Sequence, residues 1–467
     1  MVFSSPLFLF LFLPILLILY FVIPNFLKNA LLLTFSLVFY AWGELQYAWL
    51  ILFSIAFNWL FALAIENKNF SLYKKLILYL AILLNIGLLI YYKYFNFFLA
   101  SLGYDFEDSI PLPLGISFYT FHALSYVIDV YRGKSTAQKS LTNLGLYISN
   151  FAQLVAGPIV RYPDVVSQLT ERSLTVNDFA YGIHRFIIGL SKKVLIANNV
   201  AIVVDQVFSL SPHDIDFKAA WLGIICYSLQ LFFDFSGYSD MAIGLGRMFG
   251  FHFLENFNYP YISKSIREFW RRWHISLSNW FKDYLYIPLG GSKKGKARTY
   301  INLIIVFLLC GLWHGASWTF ILWGLWHGAF LVIERAGWGS LLKKTPIILQ
   351  HLYTMLIVTI GWVLFRSDSL SFTMSYIKAM FFINNATEIY LPVLEQKEIW
   401  IAFVAGIIAS TTMPKWFLEK VNMVMQGSRS LHFPYSILKI LLLFSVFFLA
   451  VISLSGSTYN PFIYFRF

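Results

Sequence analysis

Leu303-Ile-Ile-Val-Phe-Leu-Leu-Cys-Gly-Leu-Trp-His-Gly-Ala-Ser-Trp318 places an imidazole, His314, at the end of an uninterrupted apolar run. An ionisable side chain is costly in an apolar medium, so its presence there marks a candidate functional position. The glycines beside it, Gly311 and Gly315, permit close approach of another backbone or of a substrate. A neutral imidazole in this setting can serve as a general base at physiological pH. It can equally be satisfied by an interhelical hydrogen bond, and the residue alone leaves both readings open.

Runs of the same apolar character recur along the whole chain. About 20 helical residues cross a hydrocarbon core of about 30 Å. Hydropathy places membrane segments near 7–24, 29–43, 46–65, 75–98, 114–131, 141–160, 178–200, 218–249, 299–316, 319–336, 347–366, 399–413 and 435–455. The fold class expected is therefore an all-α polytopic membrane protein, one membrane domain over 1–467 with 11–13 segments. Composition agrees: 59% of the 467 residues are hydrophobic and only 12% charged, with mean hydropathy +0.68, too apolar for a soluble enzyme of this size. The first run, from Leu7, lacks a basic flank and a small-residue cleavage site, and so is expected to be a retained span.

The two cysteines, Cys226 and Cys310, lie inside apolar runs, which argues against a disulfide framework or a cysteine metal cluster. The net charge of +12 comes largely from short connectors, as the positive-inside bias requires, and does not suggest nucleic-acid binding. Lys68, Lys74, Lys75, Arg132, Lys134 and Lys139 mark the cytoplasmic side. The amino terminus is then outside. The connector at 101–110 carries Asp105, Glu107 and Asp108 without a basic residue and falls on the outer face, whereas Lys282, Lys293, Lys294, Lys296 and Arg298 fall inside. Lys415, Lys420 and Arg429 precede the last run, which should release the terminal residues outside.

Other residues compete with His314 for chemistry. The sequence Leu-Trp-His-Gly-Ala recurs at 325–329, but thirteen residues of continuous helix turn through about 1300°, leaving His327 about 140° from His314 unless the helix breaks. His327 therefore reads as structural. His274 lies in Glu268-Phe-Trp-Arg-Arg-Trp-His-Ile-Ser-Leu-Ser278, an amphipathic or re-entrant stretch that either turns a basic face towards phosphates or simply anchors at headgroup depth. Asp234 and Asp240 stand in an apolar run and need partners, such as an interfacial arginine. Gly157-Pro-Ile-Val-Arg161 reads as a helix break followed by a snorkelling arginine.

These stretches, with Phe39-Tyr-Ala-Trp-Gly43, Ser117-Phe-Tyr-Thr-Phe121, Gln153-Leu-Val-Ala-Gly-Pro158 and Gly361-Trp-Val-Leu-Phe-Arg366, resemble the membrane-bound O-acyltransferase family in its alginate and peptidoglycan O-acetyltransferase branch. The resemblance implies a ring of tilted helices around a thin partition, with a cytoplasmic funnel for the acyl donor. It implies that His314 is catalytic and that His274 is the histidine of the second family motif. It further implies acetyl-CoA as donor substrate with no tightly bound cofactor or metal, a periplasmic transferase as partner, an exported polysaccharide as acceptor, and residence in the bacterial inner membrane. The tail Phe462-Ile-Tyr-Phe-Arg-Phe467 is similar to the F-I-Y-x-x-F ending of the companion peptide in teichoic-acid D-alanylation, where the tyrosine is proposed to carry the acyl group; here that residue is Tyr464. An aromatic anchor is its plainer reading.

On this reading Lys282, Lys293, Lys294, Lys296 and Arg298 help hold coenzyme phosphates, His314 deprotonates the acceptor, and His274 positions the donor. The rival functions are a transporter or flippase, a non-catalytic scaffold, and an acyltransferase using a D-alanyl or lipid donor.

Overall fold

The computed structural model describes residues 1–104, 110–155, 157–383, 389–426 and 429–456, and every regular element among them is helical. Lipid offers no partner for a backbone N–H or C=O, so an apolar chain that enters it satisfies those groups internally, as helix. Among the described residues seven helices are long and apolar enough to span: Asn25–Glu66, Lys68–Ser101, Val176–Phe208, Phe217–Met248, Lys296–His314, Ile347–Arg366 and Phe433–Gly456. The pair Lys397–Ala409 and Met413–Met425, bent by 72°, makes eight if it is one span.

Thirteen apolar runs thus correspond to fewer long helices, for identifiable reasons. The stretch Asn25–Glu66 holds two of the expected segments, broken where Glu44 leaves helical geometry at φ −138°, ψ 45°. The expected segment 141–160 is not one helix. Leu141–Ser149 ends at Asn150, whose side chain instead accepts the Ala152 N–H and starts the single turn Phe151–Leu154. The helices Ile116–Tyr131 and Trp318–Ile333, with 16 residues each, extend only about 24 Å.

The chain divides into two compact units, 1–186 with 241–255, and 187–240 with 256–467. In the first, the rings of Phe3, Phe8, Phe12, Phe39 and Phe151 pack together, with Phe3 and Phe8 5.0 Å apart between centroids. Asn58 and Asn85, both buried, exchange carboxamide hydrogen bonds of 3.2 and 2.9 Å between neighbouring helices, the interhelical polar pairing that an apolar surrounding favours. The stretch 157–160 is indeed non-helical and buried, and Gln153 donates to the Tyr147 carbonyl at 2.6 Å beside it. Arg161 pairs locally: its Nε donates to Asp164 at 2.9 Å across the first turn of Tyr162–Thr170.

In the second unit both intramembrane acids pair with lysines. Asp234 lies 2.9 Å from the Lys193 ammonium with both side chains buried, and Asp240 lies 2.6 Å from that of Lys192. The wide π-helical turn Lys192–Ala197 carries both lysines. A charge in a low-dielectric interior requires such a partner, and the pairing gives both acids a structural role.

Candidate active site

His314 is the last residue of Lys296–His314, and the helix stops because Gly315 takes an extended conformation (φ −164°, ψ 151°). Ser317 is extended too, and the chain returns as Trp318–Ile333. The two helices meet backbone to backbone. A Cβ on Gly311 would overlap the Phe320 carbonyl oxygen, and one on Gly324 would overlap the Phe307 carbonyl oxygen. Small residues allow this approach. It presses the Trp323 indole edgewise against the His314 imidazole, 4.9 Å between centroids, with Phe365 at 5.2 Å on another side.

His274 reaches the same place from a different element. It precedes the helix Ile275–Phe281 in a left-handed conformation (φ 44°, ψ 56°), which a non-glycine residue holds only when its surroundings impose it. They do so through Asn256 and Asn258: the Asn258 N–H donates to the Arg272 carbonyl and the Ile275 N–H to the Asn256 carbonyl, each at 2.9 Å. The Asn256 side-chain oxygen then accepts from the Ser276 N–H at 3.2 Å and the Ser276 hydroxyl at 2.9 Å, and contacts His274 Nδ1 at 3.1 Å. An oxygen can only accept, so Nδ1 carries the proton and Nε2 presents a lone pair. Nε2 is buried and meets no hydrogen-bonding partner among the described residues. His274 lies between the spanning helices, and burial pushes its imidazole pKa down to about 3, which keeps it neutral at physiological pH.

The rings of His274 and His314 lie 6.5 Å apart between centroids at 62°, too far for a direct imidazole-to-imidazole hydrogen bond. Two buried imidazoles on separate elements thus flank one apolar locus. The aromatic walls are Trp313, Trp323, Phe365 and Phe235, the last 4.6 Å from His274. Such walls exclude water and fix ring orientation.

The helix break that would bring His327 to the side of His314 does exist. His327 packs edgewise against the same Trp323 indole at 5.2 Å and against Trp270 at 5.1 Å. Gly361 makes room for it, since a Cβ there would fall 2.6 Å from its Nε2.

The arginine-rich segment around His274 separates into two faces. Arg267 and Arg271 are exposed, Arg272 Nε donates to Glu268 at 2.9 Å, and Phe269, Trp270, Trp273 and His274 are buried. His274 is thus no headgroup-depth anchor. Lys282, Lys293, Lys294, Lys296 and Arg298 are all exposed around a turn whose Gly291 carbonyl accepts from Asn302 at 3.0 Å. Tyr464, with the tail 462–467, lies outside the described residues, as do Asp105, Glu107 and Asp108. Sequence reasoning overlooked Asn256 and Trp323; an asparagine in an aromatic loop carries no signal until its three donors are seen.

Two motif histidines are thus enclosed by tryptophan and phenylalanine, one of them closing a glycine-packed hairpin. The MBOAT, membrane-bound O-acyltransferase family, matches residues 131–376. The chain belongs to the membrane-bound O-acyltransferase family. It is a multi-pass membrane protein and an acyltransferase. It is 42% identical to a protein of Azotobacter vinelandii named "Probable alginate O-acetylase AlgI", over the full length of both chains. It is 38% identical to the peptidoglycan O-acetyltransferase of Helicobacter pylori, over 84% of this chain and 82% of that one. A teichoic acid D-alanyltransferase of Bacillus subtilis is 33% identical over 44% of this chain and 54% of its own.

Proposed function

We propose that this acyltransferase takes an acetyl group from acetyl-CoA on the cytoplasmic side of a bacterial inner membrane and delivers it outward, for O-acetylation of an exported polysaccharide of the peptidoglycan or alginate kind. The observation that carries the reading is the pair His314 and His274, held 6.5 Å apart in an aromatic enclosure. The full-length likeness to an alginate O-acetylase and the 38% likeness to a peptidoglycan O-acetyltransferase supply the acetyl group and the polymer class.

A charged coenzyme does not cross hydrocarbon, so the transfer has to occur within the membrane between two openings. His314 removes the proton of an acceptor hydroxyl arriving from the outer side. The oxygen forms a bond to the acetyl carbonyl carbon, the carbon–sulfur bond breaks, and the coenzyme leaves as thiolate, which takes up a proton. His274, with its Nε2 lone pair fixed in place, orients a donor or acceptor proton. The exposed cations Lys282, Lys293, Lys294, Lys296 and Arg298 attract the polyanionic donor to the inner face.

Tyr464 is the proposed first acceptor, at the outer face with the carboxyl terminus. Its phenol, with an ordinary pKa of about 10, needs a base to react at neutral pH. The aryl ester so formed is activated enough to pass acetyl to a periplasmic partner transferase. A D-alanyl donor is the second reading, carried by the likeness to the teichoic acid D-alanyltransferase.

The test is covalent capture of label from radiolabelled acetyl-CoA by purified protein, comparing wild type with His314→Ala and Tyr464→Phe after denaturation. Label on wild type, absent from both variants, is the expected result. Label lost only in His314→Ala removes the tyrosine from the relay. Turnover with D-alanyl but not acetyl donors overturns the choice of acyl group.

A further inference from the structure

A cavity of about 500 Å³ opens beside the helix Ile266–Arg272, lined among others by Lys264, Arg267, Arg335 and Lys343. None of the five cations of the 282–298 turn lines it. We infer that this cavity, rather than that turn, is the binding site for the phosphate groups of the acyl donor. The inference rests on the acetyl-CoA reading above.

Charge is the first argument. Four cations and two carboxylates, Glu268 and Glu334, line the cavity. Both carboxylates are engaged elsewhere. Glu334 accepts the backbone N–H groups of Ile266 at 2.6 Å and Arg267 at 3.1 Å, and Glu268 accepts Arg272 Nε at 2.9 Å and the Lys264 N–H at 3.0 Å. The lining therefore keeps a positive balance, its carboxylate oxygens already hold protein donors, and Glu334 fixes the segment of Ile266 and Arg267 against its own, which carries Arg335. Arginine and lysine converging on one concavity suit a ligand with several phosphate oxygens.

Placement is the second. The Arg335 guanidinium donates to the Ser292 hydroxyl at 3.0 Å, so the cavity and the basic turn open on the same face of the protein. A donor attracted by the exposed lysines arrives at this opening. Ile266–Arg272 runs from the rim, at Lys264 and Ser265, to within two residues of His274, and its seven residues extend about 10 Å. A donor with its phosphates at one end of this helix can direct an extended acyl arm towards the histidine pair at the other.

The ligand chemistry, phosphate oxygens on a flexible body, is shared by coenzyme A and by anionic lipid headgroups, and the experiment separates them. Full-length wild type, Lys264→Gln, Arg267→Gln, Arg335→Gln, Arg335→Lys and the distant Lys415→Gln are placed in nanodiscs. Binding of coenzyme A and of phosphate-free acetyl-pantetheine is measured, together with retention of phosphatidylglycerol. We expect each Gln variant in the cavity to weaken coenzyme A binding about tenfold, with acetyl-pantetheine unchanged and with Arg335→Lys and Lys415→Gln close to wild type. The Arg335→Lys result separates loss of charge from loss of fold. Coenzyme A binding unchanged in the cavity variants overturns this inference alone. Loss of phosphatidylglycerol without loss of coenzyme A assigns the cavity to lipid and overturns it too. Absence of coenzyme A binding in wild type contradicts the donor reading itself, and this inference with it.

Discussion

At Asn256 one side-chain oxygen serves the Ser276 N–H, the Ser276 hydroxyl and His274 Nδ1 within 3.2 Å. Removing it leaves buried donors unsatisfied, at about 1–3 kcal/mol, and frees the tautomer of His274. Asn256→Ala is therefore expected to lower kcat by about 10- to 100-fold, by analogy with other residues that orient a functional histidine. Asn256→Asp, which retains an acceptor, should recover most of it; equal losses in both variants would remove the tautomer from the account. A pH effect follows from the same residue. With its folded pKa pushed down to about 3 and an unfolded value of about 6.5, His274 contributes stability that is fully present above the unfolded value. That contribution is lost as pH falls from about 6.5 towards 3, because only the unfolded chain takes up the proton. The gap in Tm between pH 7.5 and pH 5 should then be smaller in His274→Asn than in wild type, and an unchanged gap would contradict this. The identity of His274 was legible in its motif, whereas its burial was not, since Arg271 and Arg272 beside it suggested an interface and only the pairing with 256–258 shows otherwise.

The hairpin of Lys296–His314 and Trp318–Ile333 depends on glycine contact, with Gly311 and Gly324 each facing a carbonyl oxygen. Gly311→Ala or Gly324→Ala should separate the helices, an overpacking penalty of about 1–3 kcal/mol. The readout is a lower Tm together with loss of acyl transfer, whereas Gly87→Ala, where nothing lies within 4 Å of the added Cβ, should leave both unchanged. The apolar pattern marks both helices clearly. It does not mark the reversal between them, because Gly315 to Ser317 is a three-residue break inside a continuous hydrophobic stretch, and so the straight-helix angle between His314 and His327 does not apply. Segment 141–160 misled for a related reason: Asn150 caps a new turn where hydropathy continues uninterrupted.

Across the whole molecule, hydropathy identified the medium and most of the helices, and motif order identified the family. It could not distinguish a spanning helix from a short one buried inside protein, since both are apolar; Ile116–Tyr131 is buried along almost all its length. Nor could it choose the partners of the intramembrane acids, which depend on the turn Lys192–Ala197. Asp234→Asn would leave the buried Lys193 without its carboxylate, a loss of about 3–5 kcal/mol. It should reduce the yield of folded protein, and the double replacement Lys193→Met with Asp234→Leu should recover part of it. A single replacement as stable as wild type would show that the pair is solvated.

His314 is proposed as the base for acyl transfer from a coenzyme thioester. That role is tested most directly by the rate of free thiol release from acetyl-CoA in nanodiscs, wild type against His314→Ala, with coenzyme A binding measured on the same samples. In His314→Ala kcat should fall at least about 100-fold with binding retained. Thiol release at the wild-type rate from a folded His314→Ala protein would contradict it.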